Sequence, residues 1–347
     1  MTTTSSRLDK QPSPLEPPKS PHSTRPAMSG LLEKFGLPIL FVVVIVVFTL
    51  MLPNTFASGG NWRTIATSQS VLAVVAMALL FPLITGRFDI SVGANTGLCS
   101  IVAAAMMADF DLPMVVAIVS ALVVGSVIGL VNGLLVAYLG INSIITTLGV
   151  STVIGGIVQA YTKGIPINAG LSPALTGLSN QLFIGVPVLF VLMLVIAAAV
   201  WFILDQSVPG RNLASVGSNE KAAALIGISV RKTVLLSFVA SGLLAGVAGV
   251  LQVASQGNGN PQVGGIGFML PALAAVFLGA TTIRPGSYNL VGTVIGLFFV
   301  GTTISGLSLM GVESWITDVF NGMAVIIAVG LSAVFRRRRT GAAGIGQ

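Results

Sequence analysis

From Phe35 onward the chain is a series of long apolar blocks separated by short polar breaks. The blocks fall at about 35–52, 65–85, 88–107, 113–138, 141–162, 183–204, 233–254, 267–283, 289–311 and 316–335. Each approaches the roughly 20 residues that an α-helix needs to cross a bilayer. The pattern predicts an all-α polytopic membrane protein with about ten transmembrane helices. The third and eighth blocks begin beside Gly-rich or polar sequence, so broken or re-entrant helices are expected there, where irregular backbone can be buried in protein. Residues 1–29 are rich in Ser, Thr and Pro, lack apolar periodicity and read as a disordered tail. Residues 30–335 form the membrane domain, and 336–347 a short basic tail. The first block, at 18 residues, exceeds the 7–15 of a signal-peptide core and reads as a retained span.

Composition agrees and excludes alternatives. The 347 residues are 54% apolar and 8% charged, with a mean hydropathy of +0.96. Soluble domains carry about 25% charged residues. A soluble fold, a disordered chain and a secreted disulfide scaffold are therefore excluded. With the N-terminus placed inside, 15 of the 17 basic residues fall on inner segments, leaving Arg63 and Lys163 outside. That bias predicts both termini in the cytoplasm and an even number of spans. Trp62 and Trp315 fall at expected outer boundaries, as interfacial aromatics do. The net charge of +7 thus reads as membrane orientation, with Arg336–Arg339 against anionic lipid, and not as nucleic-acid binding. Cys99 is the one cysteine and His22 the one histidine. No catalytic triad, His/Cys metal site or cofactor is expected from such a chain.

Two local features stand out. Gly125, Gly129 and Gly133 repeat every four residues, as do Gly242 and Gly246, and Gly292 and Gly296. This spacing predicts close helix packing. The second feature is the inner segment 205–232, the longest and most charged between spans. Ser218 or Asn219 can cap a helix whose first turn holds Glu220. Lys221–Ile226 favours helix, and Gly227 offers a stop. A two-turn helix on the inner face needs a partner to fix it. The readings are docking of a cytoplasmic protein or a helix lying on the lipid surface.

Gly217-x-Asn219-x-x-Ala222-Ala223-x-x-x-Gly227-Ile228 resembles the cytoplasmic motif of ribose/xylose/galactoside-type ABC importer permeases. Three further segments agree in order and spacing. They are Gly86-Arg-Phe-Asp89-Ile-Ser91-Val-Gly93; Gly129-Leu-Val-Asn132-Gly133 followed by Ile144-Ile-Thr146-Thr147-Leu-Gly149; and Gly279-Ala-Thr281-Thr282 followed by Gly292-Thr293-Val-Ile-Gly296. The resemblance spans about residues 60–335. Ala280, Pro285 and Tyr288 depart from the commoner glycines, which points to a divergent branch for a monosaccharide or related polyol.

The resemblance implies the membrane-spanning subunit of a binding-protein-dependent importer in the cytoplasmic membrane. Its implied partners are a cytoplasmic ABC ATPase subunit, an extracytoplasmic sugar-binding protein and a second permease chain. Gly217, Asn219, Ala222, Ala223 and Gly227 are the expected ATPase-coupling residues, the Ala pair giving a smooth face for an ATPase groove. The chain has no G-x-x-x-x-G-K-[ST] segment, so ATP hydrolysis is expected from the partner. A neutral, hydroxyl-rich substrate needs hydrogen-bonding groups along its path. Asn95, Asn132, Asn142, Thr146, Thr147 and Gln159 are candidates, with helix–helix hydrogen bonding the plain alternative for each. Asp89 has three readings: a cap for the third helix, a pair with Arg87, or a gate in the path. The rival function is an ion-coupled secondary transporter of a small neutral solute, which needs a titratable group deep in the membrane. Asp89 and Asp318 lie near expected boundaries, and no His, Lys or Glu lies mid-span.

Overall fold

The computed structural model describes residues 27–330 other than 314, 317, 318, 321, 325 and 328, with side chains from Lys34 onward. Apolar blocks with no water-facing stripe become helices because only a helix satisfies its backbone within one segment in lipid. The long helices are α1 (Ala27–Met51), α2 (Gly59–Ile84), α4 (Met114–Ala137), α5 (Ser143–Thr162), α7 (Val188–Trp201, continued by a π-turn to Gln206), α10 (Val230–Gln256) and α12 (Leu290–Leu309). These seven are long and apolar enough to cross a bilayer. Two shorter apolar helices, α3 (Val92–Ala108) and α11 (Gly265–Gly279), stand at the third and eighth blocks. At 17 and 15 residues they span only about 25 and 22 Å, short of a ~30 Å hydrocarbon core.

Non-helical backbone precedes both. Residues 85–91 lead into α3, and residues 258–264 run back beside α3 before α11 begins. Among described positions the last block is helical from Trp315 to Gly330. Asp318, Arg336–Arg339 and positions 1–26 of the expected tail lie outside the described residues. α1 starts at Ala27, inside the segment read as tail.

Smaller elements sit at the two ends of the bundle. α6 (Pro173–Thr176) and the hairpin β1 (Leu182–Phe183) and β2 (Val186–Pro187) precede α7. α8 (Val208–Ser218) and α9 (Glu220–Leu225) lie between α7 and α10.

The core forms around α2 and α10. From Ser70 to Leu83, α2 is buried at every position except Leu72, as expected of a helix apolar all round. α10 packs against α2, α3 and α4. The glycine stripes meet: a Cβ at Gly125 would reach Gly242 O, and one at Gly129 would reach Phe238 O. Gly279 and Gly292 bring α11 and α12 together the same way. The close packing read from the four-residue repeats is present in both pairs. α1 lies outside this core with Val42, Val43, Val46 and Val47 exposed, held on α12 by Phe41 against Phe299 and by Phe48 over Gly306.

Candidate functional site

The side chains singled out by the motifs converge at one end of the bundle. Gly86, at φ +79°, turns the chain out of α2, and residues 87–91 enter the protein as irregular, non-helical backbone. Such backbone inside a membrane protein needs partners for its amides. Phe88 N donates to Ser143 Oγ at 3.2 Å and Ile90 N to Thr147 Oγ1 at 3.0 Å. Both acceptors belong to the first turns of α5, whose N-terminus Asn142 caps by accepting from Ile144 N and Ile145 N. Thr147 is thus a backbone clamp, and Asn142 is a helix cap.

Asp89 is buried at the centre of a four-residue network. Its Oδ1 accepts from Ser91 N and from Ser91 Oγ at 2.6 Å, and its Oδ2 accepts from Ser241 Oγ of α10 at 2.9 Å. Asn132 Nδ2 of α4 donates to Ser91 Oγ at 2.7 Å. Two of the readings for Asp89 are corrected here. Ser91, not Asp89, occupies the N-cap position of α3. Arg87 pairs with Glu220, at 2.6 Å, and not with Asp89. Arg87 stays at the surface end of the segment and Asp89 at its buried end, so the nearest acid to Arg87 comes from α9.

The other candidates divide. Asn95 is buried and donates to Gly125 O at 3.2 Å, a helix–helix bond. Thr146 is buried, and its hydroxyl, like Asn132 Oδ1, has no hydrogen-bond partner. Gln159 stands apart, exposed on α5. With Gly149, Thr152 and Gly156 it forms an exposed stripe at helical spacing. A Cβ added at Gly149 or Gly156 would meet nothing within 4 Å.

The inner loop folds much as its pattern predicts. Asn219 Oδ1 accepts from Ala222 N at 3.0 Å, so Asn219 and not Ser218 is the cap of α9. Gly227, at φ +87°, ends the turn after Ile226. Gly217 lies so close to Ile84 O that any side chain there would overlap it. The expected smooth Ala pair separates: Ala222 is exposed, whereas Ala223 is buried against Val136, Val216, Val234 and Phe238. A helix presents successive residues about 100° apart, so the packing of α9 can bury one of two neighbours and leave the other exposed. Sequence reading missed Leu225 and Ile226, which are 88% and 75% exposed. Two adjacent apolar residues at the end of a charged loop helix were the available signal.

At the opposite end, Tyr161 donates to Asp109, and Ile167 and Gly259 exchange backbone hydrogen bonds. There a cavity of about 430 Å³ opens between α2, the hairpin and the end of α10, lined by Arg63, Thr64, Thr67, Asn180 and Gln256 among others. The loops assigned to the inner side share the first end, where Arg284 also pairs with Asp205, and Thr282 donates to Lys34 O.

These features define an all-α, multi-pass membrane protein with one built-up end presenting a short clamped helix. A family model described as "Branched-chain amino acid transport system / permease component" matches residues 61–329. The chain belongs to that family. It is similar to the "Ribose import permease protein RbsC" of Escherichia coli (strain K12), 33% identical over 86% of this chain and 93% of the relative. It is also similar to the "D-allose transport system permease protein AlsC" of the same strain, 29% identical over 88% and 93%. The "Autoinducer 2 import system permease protein LsrD" of Photorhabdus temperata is 30% identical over 85% and 90%. No solved structure matches the chain. The resemblance to ABC importer permeases seen in the motifs therefore holds for the class, and the chain is a transporter subunit.

Proposed function

We propose that this chain is the membrane-spanning permease of an ATP-driven importer for a monosaccharide or related polyol. A cytoplasmic ATPase subunit hydrolyses ATP on its behalf. The observation that carries this reading is the exposed pair Leu225 and Ile226 at the C-terminal end of α9, a helix that Asn219 caps and that follows α8, whose Gly217 packs on the end of α2. Apolar side chains this exposed on a clamped helix suit a protein groove. The ATPase side is the cytoplasm, and both termini lie there, as the basic inner segments favour.

The substrate path runs along the stripe of Gly149, Thr152, Gly156 and Gln159, between this chain and a second permease chain. Glycine backbone with hydroxyl and amide groups suits a protein-lined, hydrated surface better than lipid. The outer cavity, lined by Thr64, Thr67, Asn180 and Gln256, offers hydrogen bonds to a hydroxyl-rich solute as a binding protein releases it. The relatives named for ribose and allose favour the same chemistry. Ion coupling is disfavoured because both oxygens of Asp89 are already engaged by Ser91 and Ser241.

The test is uptake into liposomes carrying the permease with its ATPase and binding protein, comparing D-ribose, D-allose and L-leucine. ATP-dependent uptake of a sugar that persists with a proton uncoupler is the expected result. Uptake of leucine alone, or uptake abolished by the uncoupler at constant ATP, would overturn the reading.

A further inference from the structure

The segment Thr85–Ser91 touches more of the molecule than its length suggests. On its outer side, Arg87 Nη2 pairs with Glu220 Oε1 of α9 at 2.6 Å. The turn before it, Ile84–Thr85, packs on Gly217 at the end of α8. On its inner side, the amides of Phe88 and Ile90 are held by Ser143 and Thr147 of α5. Asp89 is held by Ser241 of α10, and Ser91 by Asn132 of α4. Ser91 then begins α3. Seven residues therefore join the docking helices to α3, α4, α5 and α10.

We propose that Thr85–Ser91 is the strut that carries movement of the docking helix into the bundle, with Arg87–Glu220 as its latch. The proposal rests on the reading of α9 as the ATPase contact. Three features support it. The segment is non-helical and is hydrogen-bonded to both α5 and α10, so it can transmit displacement without unfolding a helix. Its bonds to α5 lie at the foot of the stripe proposed as the path. Among the described residues, Arg87–Glu220 is the ion pair that joins α9 to the rest of the protein. The side chains are 36% and 44% exposed, and a pair that exposed adds little to stability. Its value lies in fixing the register between α9 and the strut. Arg87 and Glu220 are thus positioning residues and touch no substrate.

The test uses the complete permease–ATPase complex in liposomes and needs no transported substrate. A spin label is placed by Ile157→Cys on an exposed face of α5 away from the proposed path, the native Cys99 being buried. The probe is Mg-ATP, and the readout is the ATP-dependent change in the label's spectrum. In the otherwise unaltered complex the change is present. Arg87→Ala or Glu220→Ala reduces it about fivefold or more, the size of a modest allosteric coupling, while the ATPase stays bound and hydrolyses ATP. Arg87→Lys keeps the charge and most of the change. The exchange Arg87→Glu with Glu220→Arg restores it. A full spectral change in either alanine variant overturns the latch. So does loss of ATPase association in both, which would make these residues docking contacts. Ala222→Arg separates the two readings: if that variant still binds the ATPase, the docking assignment fails, whatever the latch variants do.

Discussion

Ser241 Oγ donates a 2.9 Å hydrogen bond to Asp89 Oδ2, joining α10 to the segment before α3 across 152 positions of sequence. Asp89 Oδ1 takes two further bonds from Ser91, so the carboxyl is surrounded by donors inside the protein. Asp89→Ala takes away the acceptor of both serine hydroxyls and opens a cavity. The expected cost is about 3 kcal/mol, since three hydrogen bonds are lost at roughly 1 kcal/mol each. Ser241→Ala removes one of the three donors and should cost about a third of that. Thermal unfolding of purified variants in detergent checks the order. Equal midpoints for Asp89→Ala and the unaltered protein would contradict the assignment.

The glycine contacts separate positions that look alike in sequence. Gly129→Leu pushes a side chain into Phe238 O at the α4–α10 contact, where the backbone cannot yield. Gly156→Leu adds the same volume to an open face of α5. The first is expected to abolish recovery of monodisperse permease, and the second to leave it intact. Size-exclusion chromatography of the detergent-solubilised variants decides. Because Gly156 is on the proposed path, Gly156→Leu should still fold and yet lose uptake.

How much of this was legible beforehand follows from sequence distance. The Gly125–Gly129–Gly133 stripe and the Asn219 cap are local patterns, and both appear in the structure. The short third and eighth spans were signalled by Gly-rich flanks, and α3 and α11 fall short of a bilayer. Partners were not legible. Arg87 and Glu220 lie 133 positions apart, and no periodicity connects them. Thr147 reads as an ordinary mid-membrane hydroxyl until the non-helical entry of residues 87–91 is known, because that geometry leaves Ile90 N in need of an acceptor. The buried Ala223 and exposed Ala222 were indistinguishable by residue type, and the packing of α9 decides between them.

Leu225 and Ile226 project from α9 with 88% and 75% of their surface exposed. Replacing either by Glu removes no internal contact, so unfolding temperature should stay within about 0.5 kcal/mol equivalent of the original. Co-purification of the ATPase subunit should nevertheless drop at least tenfold, because truncating or charging a central apolar anchor costs roughly 2 kcal/mol or more. Retained association with Leu225→Glu and Ile226→Glu together would remove this face from the docking surface.

The clamp at Thr147 can be tested apart from transport. Its hydroxyl accepts from Ile90 N and donates to Ser143 O, at 3.0 and 2.8 Å. Thr147→Val keeps the shape and removes the acceptor, leaving a part-buried backbone amide without this partner. Such a loss costs about 1–3 kcal/mol. Thr147→Ser keeps the oxygen and should recover most of it, losing only a buried methyl worth about 1 kcal/mol. Hydrogen exchange gives the local readout: the Ile90 amide should exchange faster in Thr147→Val and near the original rate in Thr147→Ser. Equal protection of Ile90 in all three proteins would mean that the entry to α3 is held by Asp89 and Ser91 alone.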